Sequence, residues 1–203
     1  MCFPETILAT LKFALMSMQT ILDLLSAEFS LSPDFTKAIS IHLKEHHLQK
    51  GQPLRLPSPS GNVMFVQTGL LKACYFSRNG REYITRFWQQ GEIIIFKPSP
   101  YEPMLPAEYL ITLEHTTLFT LSDKHAGFLL ERFPQTYPLL NHFQRKEAAT
   151  SDLISHLRQL PLEQAYKTFV KHFPAHRIPV KDIACFLGVA AKRVSEIRGQ
   201  KRT

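Results

Sequence analysis

The sequence predicts an α+β chain, an antiparallel β-roll followed by a long helix and then a C-terminal helix-turn-helix, and three observations carry that reading. Between about 50 and 122, short runs rich in β-branched and aromatic residues alternate with glycine-marked turns, the pattern of antiparallel strands. From about 138 to 160, apolar residues recur at spacings of four and three, a helical period. From 178 to 203 the apolar spacing changes to that of two short crossed helices.

Residues 1–19 form an N-terminal extension, MCFPETILATLKFALMSMQ. It is apolar but lacks a basic start, and Lys12 interrupts it, so neither a signal peptide nor a membrane span is expected. Residues 20–48 read as helical, with Ile21, Leu24 and Leu25 on one stripe and Phe35, Ala38, Ile39 and Leu43 on the next. Ser32-Pro33 supplies the start signal of the second stripe.

The strand runs are KGQPLRL, NVMFVQTGLLKACYF, REYITRFW, GEIII, AEYLITLE and TTLFTLS. Asn79-Gly80 between two of them predicts a hairpin turn. Residues 20–137 therefore make up the roll domain. Pro134 and Pro138 break the helical period that returns at Asp123, so the long helix is expected over 138–160. Its stripe, Leu139, Phe143, Lys146, Thr150, Leu153, Leu157 and Leu160, is heptad-like with a polar middle. It suits pairing with a second copy; packing on the chain's own sheet is the other reading.

The C-terminal domain covers 161–203. Leu162, Ala165, Tyr166, Phe169 and Val170 give an amphipathic helix, bounded by Pro174 and Pro179. Val180, Ile183, Ala184 and Leu187 then fall at i, i+3, i+4 and i+7, and Gly188 follows where a helix closes in a left-handed conformation. Val194 and Ile197 begin a second apolar face, leaving Ala191, Lys192, Ser195, Glu196 and Arg198 outward. A solvated helical hairpin is the bland alternative. Charge favours a polyanionic partner: the chain carries +7, and 141–203 hold 12 basic against five acidic residues, which accounts for all of the excess.

Cys2, Cys74 and Cys185 have no metal spacing, and a sparse, odd set fits a reducing cytoplasm; Cys74 and Cys185 lie in apolar runs and read as buried packing groups rather than redox sensors. His42 and His46 are four apart on the expected helix, but no further ligand completes a set, so a solvated face is the better reading. Phe87, Trp88 and Tyr83 read as strand core. No nucleophile–base pair, phosphate loop or dinucleotide motif is present, so no enzyme activity and no cofactor are expected.

The order helix, roll, long helix, helix-turn-helix, with KGQ, QTGLLKACY, QQGEIII and LGVAAKRVSEIR in register, resembles the Crp/Fnr family of transcription regulators over about 20–203. It looks most like short members that end near the recognition helix. The resemblance implies a cyclic-nucleotide-binding-like roll, 138–160 as a dimerisation helix, and a homodimer on duplex DNA of two-fold symmetry. Lys192, Arg193, Ser195, Glu196 and Arg198 would face DNA, with Lys201 and Arg202 on phosphates. An unidentified small-molecule effector and RNA polymerase are further candidate partners; a membrane is not.

The chain departs from the family in three places. Nucleotide-binding members carry Gly-Glu and then Arg-Ser/Thr; here the matching positions of the pocket are Phe96 and Lys97, then Pro106 and Ala107. A buried phosphate would lack its charged partner, so ordinary cAMP or cGMP binding is not expected. Ala191, Lys192 and Glu196 stand where well-known members place Arg, Glu and Arg, so either an operator unlike the familiar one or weak DNA affinity is expected. The cysteine cluster of Fnr-type proteins is missing, so no iron–sulfur centre is expected. The alternative function is a ligand- or protein-binding roll whose C-terminal hairpin does not bind DNA.

Overall fold

The computed structural model describes residues 21–23, 25–55, 63–95 and 108–200. Residues 21–23 and 25–28 are helical. Helix α1 spans Pro33–His42, with Ser32 as its cap: the Ser32 hydroxyl accepts the Phe35 N–H and Pro33 sits in the first turn. The helix ends there. Residues expected to continue it form strand β1, Lys44–Leu48, because that segment pairs antiparallel with β8, Thr116–Leu121, some 70 residues onward. This corrects the helical reading of 20–48, and a local period could not have revealed a partner so far away.

The other strands are β2 Pro53–Arg55, β3 Val63–Thr68, β4 Leu70–Phe76, β5 Glu82–Gln89, β6 Ile93–Ile95 and β7 Glu108–Thr112. They form two antiparallel sheets, in the orders β1-β8-β3-β6 and β2-β7-β4-β5. The long run NVMFVQTGLLKACYF is two strands, one in each sheet. Gly69 makes the passage at φ +106°, where a Cβ would stand 2.4 Å from the Thr116 hydroxyl oxygen. The Asn79-Gly80 turn joins β4 to β5 as expected, with Gly80 at φ +77°.

Three apolar layers result. Between the sheets lie Met64, Val66, Ile94 and Leu118 from one, against Leu71, Ala73, Trp88 and Leu110 from the other. The outer face of the first sheet (Phe65, Phe119, Leu121) packs under the helical residues 21–23 and 25–28, α1 and α2, Asp123–Arg132. The outer face of the second (Leu70, Cys74, Ile84, Phe87) packs under the C-terminal helices. A bulge sets the register of β5. Cys74 pairs with Ile84 and Ala73 with Arg86, so Thr85 is an extra residue. Ile84 and Phe87 thereby reach the same face despite an odd separation, while Arg86 joins Ala73 on the inner one.

Helix α3, Thr136–Gln159, is 24 residues and about 36 Å long. Pro138 lies inside its first turn rather than before it, where no backbone donor is needed. The helix runs between the two outer layers: Leu139 is buried under α1 and α2, and Ile154 and Leu157 among the C-terminal helices. Leu139 and Leu157, expected at a seam between copies, are thus consumed within one chain. Its exposed face instead carries Arg145, Ala148, Ala149, Asp152 and His156.

Helices α4, Leu162–His172, α5, Val180–Leu187, and α6, Ala191–Gln200, complete the chain. Phe87 of the roll meets Phe186 of α5 at 5.2 Å between ring centroids and Phe169 of α4 at 5.9 Å. Burying each such ring is worth about 2–3 kcal/mol, more than a surface ion pair at about 1 kcal/mol or less. The shared aromatic core therefore attaches the C-terminal helices to the roll.

Candidate functional site

Val180 is partly buried and Ile183, Ala184 and Leu187 fully so, as the α5 stripe predicts. Gly188 closes α5 at φ +70°, ψ +27°. Its N–H bonds the Cys185 carbonyl at 3.2 Å and the Val189 N–H returns to Ala184 at 2.9 Å, the Schellman closure that only an unsubstituted residue adopts without strain. Val194 of α6 is fully buried and Ile197 half-buried. Lys192, Arg193, Ser195 and Glu196 are exposed, and Arg198 is partly exposed. All five project from one ten-residue helix, and among the described residues no ion pair joins Glu196 to Lys192 or Arg193. Lys201 and Arg202 lie outside the described residues.

Polar contacts fix how this pair of helices sits on the roll. Lys72, on the outer face of β4, has its ammonium 2.9 Å from Glu82 of β5 and 3.2 Å from Asp182 of α5. Burial pulls the Lys72 pKa down, but the Glu82 hydrogen bond and the Asp182 charge outweigh it, and the net shift is upward. Arg158 of α3 bridges the two parts, donating to the Phe186 carbonyl of α5 at 3.2 Å and to the Ile84 carbonyl of β5 at 3.0 Å. The Cys185 thiol donates to the Glu82 carbonyl. Arg177 forms a two-point pair with Glu114.

Cys74 is a buried packing group, as expected; burial and the neighbouring Glu82 push its thiol up to about 12. Cys185 is only partly buried, against the expectation, because its side chain faces the β5 edge instead of the α5 core.

The second feature is a cavity of about 330 Å³ between the mouth of the roll and α3. Arg86, turned inward by the Thr85 bulge, is its central charge. The Arg86 side chain is 9% exposed and donates to Glu147 of α3 at 2.7 Å. Its guanidinium lies over the Trp88 ring at 4.0 Å, and its Nε has no partner. Burial lowers the Arg86 pKa against the raising effect of Glu147. On the adjoining turn Glu92 is raised by burial, although the Gln89 N–H bonds it at 2.6 Å.

The sequence singled out Phe96, Lys97, Pro106 and Ala107 for this pocket; all four lie outside the described residues. It missed Arg86 and Glu147. The available signal was an arginine inside the otherwise β-branched and aromatic run YITRFW, but its face depends on the bulge.

His42 and His46 do not share a helix. His42 stacks on His125 at 3.9 Å, and His46 on β1 bonds the Thr120 hydroxyl at 2.9 Å. Among the described residues no group of three potential ligands could hold a metal, and no helix is long and apolar enough to cross a membrane.

No family model and no curated protein matches this sequence. Solved structures do match. A protein from Eubacterium rectale assigned to the Crp/Fnr family of transcriptional regulators superposes with a TM-score of 0.64 at 13% identity, over 82% of each chain. The chain has the Crp/Fnr regulator fold. FixK2 from Bradyrhizobium japonicum gives a TM-score of 0.67 at 16% identity, covering 78% of this chain and 83% of its own. A cyclic nucleotide-binding domain containing protein from Listeria monocytogenes gives 0.64 at 12% identity, over 91% and 89%. At such identities the likeness is one of fold, and it extends over most of both chains.

Proposed function

We propose that this protein is a cytoplasmic, DNA-binding transcription regulator that acts as a homodimer. The observation that carries this is α6: a short helix held by a left-handed Gly188 turn and a buried Val194, presenting Lys192, Arg193, Ser195 and Glu196 to solvent. A helix so mounted enters a major groove with its outer residues on base edges and phosphates. In this reading α5 and α6 are a helix-turn-helix, and Lys201 and Arg202 add phosphate contacts. The regulator fold and the +7 charge support it. The dimer forms through the exposed face of α3 at Ala148, Ala149 and Asp152, whose small side chains let a second helix approach closely. Ordinary cAMP or cGMP is not the effector, because Pro106 and Ala107 provide no charge for its phosphate.

A selection of genomic fragments by the purified protein tests the function. Recovery of one palindromic site is expected. Retention that is salt-sensitive but independent of sequence would instead support a roll module with a non-reading hairpin, which Ala190 at the cap position and the lack of a guanine-reading arginine at Ala191 favour. Light scattering tests the dimer, and a monomer mass would remove it.

A further inference from the structure

Three cavities follow one another along a single side of α3. The first lies between the outer face of the β1-β8-β3-β6 sheet and the helices that cover it, and has a volume of about 260 Å³. Phe35, Phe119, Leu129 and Leu139 are among its walls. Among the described residues Thr136 contributes the only polar side chain to that wall, and its hydroxyl is already committed to the Leu129 carbonyl at 2.9 Å. Ile93, Ile95 and Phe143 also bound a second space of about 370 Å³, which reaches Glu147. Glu147 and Ile95 in turn bound the roll cavity that holds Arg86. Leu139, Phe143, Glu147 and Ser151 recur every four residues, so the three spaces border one face of α3, which runs from the apolar cavity to the one that holds Arg86.

We propose that this path binds a medium-chain fatty acid, with its tail in the apolar cavity and its carboxylate on Arg86. The inference stands beside the DNA-binding reading and does not depend on it. Each end excludes other ligand classes. A cavity walled by hydrocarbon stays dry and takes an apolar occupant, so a small polar anion would leave it empty. A neutral apolar molecule would leave the Arg86 Nε without an acceptor. Arg86 is held over the Trp88 ring at 4.0 Å, and a guanidinium takes a carboxylate through two parallel donors. Glu147 holds one terminal nitrogen now, but its side chain is 41% exposed and is free to turn outward to solvent as the ligand carboxylate replaces it. Leu139 to Glu147 is about 12 Å along the helix axis, the reach of an extended chain of about ten carbons.

Trp88 is the only tryptophan in the chain, so its fluorescence in the full-length protein reports the head-group end directly and without DNA. Decanoate should change that emission saturably and raise the melting temperature. Acetate at the same concentrations should do neither, and decanol should bind about tenfold or more weakly than decanoate. Arg86→Gln should abolish the preference for decanoate over decanol. Ala126→Leu, which narrows the apolar cavity, should weaken both ligands and leave the preference intact. If Arg86→Gln does not fold, the three ligands on the unmodified protein decide alone. No saturable change with decanoate, equal binding of decanoate and decanol, or a preference that survives Arg86→Gln would overturn the proposal. Because no step uses DNA, its failure would leave the regulator reading untouched, and the converse holds as well.

Discussion

Asp182→Ala removes one of the two anions around a buried ammonium. The Lys72 side chain is 7% exposed and that of Asp182 is 3% exposed, so solvent does not replace the lost partner. Deleting one member of a buried pair costs about 3–5 kcal/mol. Glu82 remains 2.9 Å from the Lys72 nitrogen and is itself partly exposed, which places this case at the lower edge, about 3 kcal/mol. Asp182 also occupies the first turn of α5, where a negative charge contributes a further ~0.3–1 kcal/mol. For a chain of this length each kcal/mol lowers the melting temperature by about 2–4 °C, so the sum of about 3.3–4 kcal/mol gives an expected drop of roughly 7–16 °C in a thermal melt followed by circular dichroism. The double variant Lys72→Met with Asp182→Leu removes both charges and keeps the volume, and should recover to within about 1 kcal/mol of the parent. A single variant that melts within 2 °C of the parent, or a double variant no more stable than the single, would refute the view that burial makes this contact costly to break.

Three further outcomes follow from the same structure. Lys192→Ala combined with Arg198→Ala should weaken operator binding and flatten the slope of log affinity against log salt by about two, as titrations at several salt concentrations would show. Gly69→Ala should cost about 2–4 kcal/mol in urea unfolding, since its Cβ meets Thr116 atoms at 2.4 and 2.8 Å, whereas Gly80→Ala, with open space around it, should cost about 1 kcal/mol. The Lys72 pKa is raised in the fold, so its contribution is complete below the ordinary value of 10.5 and is lost as pH rises through the raised one. Cys74 acts in the same direction: the folded thiol holds its proton up to about 12 while the unfolded one releases it near 9.0, so stability falls as pH climbs between them. Urea midpoints at rising alkaline pH should show that decline, and Cys74→Ala should make it shallower.

The elements most legible in the sequence are those whose cause is local. The α5 stripe, the Gly188 closure, the Ser32-Pro33 start and the Asn79-Gly80 turn each rest on neighbours within a few residues, and all stand where the sequence places them. The elements that depend on distant partners were hidden. KEHHL looks helical until β8 pairs with it. Arg86 reads as an outward strand residue until the Thr85 bulge reverses the alternation. Leu139 and Leu157 carry a stripe that suits a second copy, and only the surrounding layers reveal that each is already covered. Phe186 falls off the α5 stripe altogether and proves to be fully buried, because α5 has two apolar neighbours, α6 on one side and β5 on the other.

The aromatic layer between β5 and the C-terminal helices bears on how such a protein can be taken apart. Phe87, Ile84, Leu70 and Cys74 are at most 2% exposed within a core that they share with Phe169 and Phe186 of the C-terminal helices. Expressing the roll alone would turn that surface into a sticky patch, and expressing the last forty residues alone would leave short helices with half of their hydrophobic support missing. Chimeras that graft a foreign reading head onto this roll must therefore import residues that match Phe169 and Phe186, or the junction will aggregate before it can be assayed.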